Sequence, residues 1–129
     1  MRHAILLSLL LVGCATAHME VVHRGDNVRF DFGVGSKSAR VMGIDVFEAD
    51  AGKRGNTVCK LSRSVWTGPM DMQSWVYGTP IGWFQPVGCA PLAVDREYGV
   101  VVYESNRDLI FRRFRLGKDG SILTWDRLH

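Results

Sequence analysis

Val28, Phe30 and Phe32 alternate with Arg29 and Asp31 along "NVRFDF", the two-residue period of a strand with one buried and one wet face. A shorter run, "EVVHR", precedes it. Arg24-Gly25-Asp26-Asn27 joins the two runs with turn-type residues, so the pair reads as a hairpin. In "ARVMGIDVFEA", Ile44 and Val46 share a face with Asp45 between them. "ADAGKRGN" is a loop by composition, and "TVCKLSRSVW" begins another extended stretch. From Gly68 onward Pro69, Gly78, Pro80, Gly82, Pro86, Gly88 and Pro91 predict irregular chain. "REYGVVVYES" carries Tyr98, Val100 and Val102 on one face and Val101 and Tyr103 on the other, the pattern of a central strand in a two-layer fold.

"LIFRRFRLGKDGSILTW" closes the chain as a hairpin around Lys118-Asp119-Gly120. Its first strand breaks parity: Leu109 and Phe111 alternate, and Phe114 and Leu116 alternate out of phase with them. A β-bulge at Arg112-Arg113 would restore the pattern. Beyond the first residues there is no helical periodicity. About seven short strands with turn residues between them predict an all-β fold, a small antiparallel immunoglobulin-like β-sandwich or small barrel.

The first residues follow another rule. Arg2 and His3 form a short positive region, and Ala4 to Val12 an apolar run of about nine residues, as in a secretion signal. About 20 residues would be needed to span a bilayer as a helix. Ala15-Thr16-Ala17 fits ordinary signal-peptidase cleavage, which would leave His18 as the first residue. Leu11-Val12-Gly13-Cys14 looks like a bacterial lipobox, complete over its four positions and placed directly at the end of the apolar run. The lipobox reading divides the chain into a signal peptide (1–13), a lipidated tether (14–19) and a β-sandwich domain (20–129). Several acyl chains on one cysteine anchor a protein stably, where one chain does so only marginally. Ala15 follows Cys14, with no aspartate to favour inner-membrane retention, so the expected place is the periplasmic face of the outer membrane.

Three cysteines are present, and with Cys14 committed to lipid an even pair remains, Cys59 and Cys89. In an oxidising compartment they are expected to bridge, closing a loop of about 30 residues that contributes about 3–4 kcal/mol. The alternative is two buried thiols. No C-x-x-C spacing points to redox or zinc chemistry.

A net charge of +3, spread along the chain, gives no argument for nucleic acid. No histidine lies two, three or four residues from another histidine, and none lies within four residues of Cys59 or Cys89, so no metal site is expected. No G-x-S-x-G or other nucleophile context appears, and the thirteen acidic residues are scattered. Binding without cofactor or metal is therefore expected, and not catalysis. Arg112, Arg113 and Arg115 offer a basic patch for an anionic partner. The simpler reading is a bulged outer strand whose solvated arginines discourage edge pairing.

Trp66, Trp75, Tyr77, Trp83 and Phe84 all fall between Cys59 and Cys89. One or two are expected to pack on the bridge, as in immunoglobulin-type cores, with Trp66 in the core. Trp83 and Phe84, flanked by Gly82 and Pro86, are the candidates for an exposed partner-binding tip.

The lipobox, "NTVCKL", "WFQPVGCAPL", "REYGVVVYES" and "FRRFRLGKDGSI" resemble, in order and rough spacing, the small type VI secretion immunity periplasmic lipoproteins, over about two thirds of the mature chain. That resemblance implies an inhibitor-like binding protein, anchored to a membrane, that neutralises a toxin entering the periplasm. The alternative is a structural envelope or secretion-apparatus lipoprotein.

Overall fold

The alternation along "NVRFDF" becomes a strand whose apolar side turns inward: Val28, Phe30 and Phe32 are buried, while Arg29 and Asp31 pair outside at 2.8 Å. The computed structural model describes residues 19–25, 27–33, 38–105 and 110–125. Among them ten strands form two antiparallel sheets, with no closed barrel and no helix. The small sheet contains β1 (Glu20–Arg24), β2 (Asn27–Asp31) and β6 (Ser74–Val76), in the order β1-β2-β6. The large sheet contains β3 (Ala39–Asp50), β4 (Lys53–Ser62), β7 (Gln85–Val87), β8 (Glu97–Glu104), β9 (Ile110–Leu116) and β10 (Ile122–Trp125), in the order β10-β9-β8-β3-β4-β7. A short β5 (Met70–Met72) pairs with the start of β3.

Phe30, Phe32 and Trp75 from the small sheet meet Val41, Ile44, Val46, Leu61, Val100, Val102 and Phe114 from the large one. Phe30 stacks on Trp75 at 5.7 Å and meets Phe114 edge-on at 5.5 Å, a spacing that adds quadrupole attraction to area burial. The result is a small β-sandwich, as the strand pattern predicts. β1 also touches the far edge of the large sheet, where His23 Nδ1 lies 3.1 Å from the carbonyl of Gly120.

β8 does run between β3 and β9 with both faces covered. Its second face is covered by side chains of the same sheet. Phe47 stacks on Phe111 at 6.2 Å, and the Arg54 guanidinium lies 4.4 Å above the Phe47 ring. Gly99 makes room for that ring, because a Cβ there would sit 2.5 Å from two of its carbons. On the same face buried Asp45 accepts from Arg54 at 3.2 Å and from the Tyr103 hydroxyl at 3.0 Å. The Tyr103 and Asp45 contacts raise the Arg54 pKa further, against a smaller opposing effect of burial.

This second apolar face corrects the reading of the last hairpin. β9 pairs with β8 without a register shift from Arg115 opposite Glu97 to Ile110 opposite Val102, so no bulge exists at Arg112-Arg113. Phe111 simply serves the outer face while Ile110, Phe114 and Leu116 face inward. The shifts lie instead in β3, against β4 between Val46 and Ala49 and against β8 between Val41 and Gly43. "ADAGKRGN" is also shorter as a loop than its composition predicts. β3 and β4 join through a two-residue turn, Ala51 at φ 51° and Gly52 at φ 78°, and Lys53 already belongs to β4. The exposed outer part of β4 has no apolar alternation to mark it. Likewise β5, β6 and β7 occupy part of the stretch predicted to be irregular.

Cys59 and Cys89 are bridged. The bridge ties β4 to the chain just after β7, its neighbour in the same sheet, where Lys60 stands opposite Val87. An immunoglobulin bridge would join the two sheets through the core. Tyr77 reaches the chain beside the bridge, its hydroxyl donating to the carbonyl of Ala90 at 2.5 Å.

Candidate binding interface

The 12 residues of β3 set the long axis of the domain, about 36 Å at strand rise. Exposed features gather at its two ends. At the end where β3 begins, β4 leaves the sheet after Ser62 and returns as β5 at Met70. Hydrogen bonds hold the excursion between them in one shape. Thr67 N and Oγ1 both donate to the carbonyl of Ser64, at 3.1 and 3.0 Å. Trp66 N donates to Ser64 Oγ at 3.3 Å, and Arg63 donates to the Thr67 carbonyl. Val65 and Trp66 stand out from the turn, and Trp66 is 92% exposed. Its expected place in the core is therefore wrong: the turn that carries it points away from both sheets.

The second loop of this tip carries Trp83 and Phe84, which separate. Phe84 is 0% exposed and belongs to the core, so it is not part of an exposed tip. Trp83 is 46% exposed, and its indole N–H donates to the carbonyl of Gly68 at 2.9 Å, fastening this loop to the Trp66 turn. The reversal is tight, with Ile81 and Phe84 exchanging backbone bonds of 3.2 and 2.9 Å. Gly82 has φ +56°, which favours glycine, and a Cβ there would lie 2.4 Å from Met70 Sδ, so a larger residue would have to displace the Met70 thioether. The sequence places Trp83 at an exposed tip, and it is exposed, whereas it predicts Trp66 in the core and passes over Val65. The signal was available in the Ser64–Thr67 spacing, which can cap a tight turn.

At the opposite end a cleft of about 870 Å³ opens between the Ala51–Gly52 turn and residues 93–97, lined by Glu48, Asp50, Val94, Asp95, Arg96 and Arg115 among others. Its floor is an ion pair, Arg113 to Glu97 at 2.6 Å, with side chains only 10% and 13% exposed. Arg96 pairs with Glu48 at 3.0 Å on the wall, and Val94 stands exposed beside it. The three arginines of "FRRFRL" thus part company. Arg113 is buried, Arg112 donates to Thr124 Oγ1 at 3.1 Å, and Arg115 is exposed in the cleft. β9 is not an outer strand either, since β8 and β10 flank it.

The Tyr77 pKa is pushed up to about 12, first by burial and then by the charge of Tyr98. Among the described residues no three His, Cys, Asp or Glu side chains gather as metal ligands. Cys14 lies outside the described residues, as do His3, His18 and His129. Comparison with known proteins finds no matching family model, curated sequence or solved structure.

Proposed function

We propose that this chain is a membrane-anchored lipoprotein of the bacterial envelope, held at the periplasmic face of the outer membrane, that acts by binding another protein. An inhibitor or immunity protein facing a toxin works in this way. The observation that supports the reading is the cleft at the end of the sandwich away from residue 19, where the tether joins the domain. It offers an apolar side chain, Val94, among Arg96, Arg115 and four carboxylates. Arginine is enriched in protein interfaces, and two arginines stand here beside an exposed apolar side chain. The paired charges on the walls supply directional partners and steer encounter with a charged surface.

Two measurements test the proposal. Replacing Cys14 with alanine releases the protein from membranes; a variant that still sediments with them ends the lipoprotein reading. Separately, the lipidated protein is used as bait in solubilised envelope extract beside Val94→Asp and Arg115→Glu variants. A protein retained saturably by the wild type and lost from both variants supports binding at the cleft. Equal retention by all three refutes it.

A further inference from the structure

Met42, Val65, Trp66 and Trp83, four of the large apolar side chains left exposed, lie at the end of the sandwich where β1 begins. The registers establish this. Glu20 stands opposite Asp31, and Asp31 opposite Ser74. Just before Ser74, Met72 pairs with Ala39 and Met70 with Val41, and Gly82 packs on Met70. Two strand spacings and the eight residues from Ser74 back to Trp66, at most about 29 Å of chain, therefore separate Glu20 from the Trp66 turn.

We infer that this end rests on the bilayer that holds the chain, with Val65 and Trp66 seated at the headgroup level. The inference rests on the reading of Cys14 as the lipidated residue. Met19 lies five positions after Cys14, a reach of at most about 18 Å. Met19 is itself buried, so the domain begins where the tether ends. A tether this short keeps the β1 end of the domain beside the headgroups. A protein partner on the tip would have to enter between the domain and its own membrane, whereas the bilayer is already there.

The chemistry of the tip suits that occupant. Tryptophan combines a large apolar ring with one N–H donor and settles at membrane–water interfaces. Trp66 projects from a turn in which its own N–H and that of Thr67 are bonded internally to Ser64, so these two donors stay paired when the ring inserts. Arg63 donates to the Thr67 carbonyl at the base of the same turn, and Lys60 is exposed three residues earlier, on β4. Cations at that level attract anionic headgroups. The same orientation turns the charged cleft outward, into the periplasm.

The test uses the lipidated mature protein in phosphatidylethanolamine–phosphatidylglycerol vesicles whose acyl chains are brominated near the headgroup. Tryptophan emission is expected to shift to the blue and to be quenched. Trp66→Ala, at a fully exposed position, is expected to stay with the vesicles and lose most of the quenching. The mass of the N-terminal peptide reports lipidation independently. A lipidated, vesicle-bound protein without quenching overturns the inference and leaves the anchor standing. A peptide without acyl mass overturns both. Quenching that survives Trp66→Ala puts the contact elsewhere, and shielding that needs added envelope protein makes a protein the occupant; either result overturns the inference.

Discussion

Ala51 is a residue in the wrong conformation for its side chain, and replacing it tests the account of the β3–β4 turn. With φ 51° at Ala51 and 78° at Gly52, both central residues of the two-residue hairpin loop are left-handed, the arrangement that Asn-Gly prefers. An L-residue with a Cβ pays about 1–2 kcal/mol in that region, while asparagine tolerates it through local hydrogen bonding. The side chain of Ala51 is exposed and forms no part of the core, so nothing is lost by exchanging it. Ala51→Asn should therefore stabilise the domain by about 1 kcal/mol, or a rise in Tm of about 4 °C for a domain of this size. Ala51→Gly relieves the same strain but loosens the unfolded chain, which cancels about 0.5–1 kcal/mol of the gain. Urea denaturation of the three proteins should rank them Asn, Gly, Ala with unchanged m-values. An asparagine variant no more stable than the wild type would refute the left-handed turn.

Phe84→Ala should cost about 3–5 kcal/mol as a large core truncation, whereas Trp66→Ala should stay within about 0.5 kcal/mol of wild type; paired melting curves decide, and reversed effects would invert the assignment of the two loops. Gly99→Ala should destabilise by about 1–3 kcal/mol, because the new methyl must displace the Phe47 ring, with a loss of near-ultraviolet dichroism as the local sign. Stability should fall as pH rises from about 10 to about 12, because the unfolded Tyr77 ionises before the folded one. Tyr77→Phe should flatten that limb of the curve, and an unchanged slope would count against the buried hydroxyl. Native protein should show negligible labelling at Cys59 and Cys89, and reduction should lower stability by about 3–4 kcal/mol; ready labelling of both would contradict the bridge.

What the sequence determined by itself is the material that short-range physics governs. The period of two in "NVRFDF", the turn residues at Arg24–Asn27 and Lys118–Gly120, and the apolar run of β8 are local statements about which side of a strand is wet. They were enough for an all-β sandwich and for the hairpins of its sequence neighbours. The two cysteines left after Cys14 were enough for the bridge.

Only the tertiary structure decided which faces are covered and where loops point. Phe111 looked out of phase because the outer face of the large sheet carries its own apolar contacts, built from Phe47, Arg54 and the space left by Gly99, residues distant in sequence. Trp66, Trp83 and Phe84 are chemically alike on the page, yet one is exposed, one half-exposed and one buried. Aromatic character states that burial is favourable. Whether a given ring can reach the core depends on the turn beneath it, here pinned by Ser64 and by the Gly82–Met70 contact. The arginines of β9 separate for the same reason, since their partners Glu97 and Thr124 come from the strands on either side. Period and composition are properties of a segment, whereas exposure is a property of what the rest of the chain leaves uncovered.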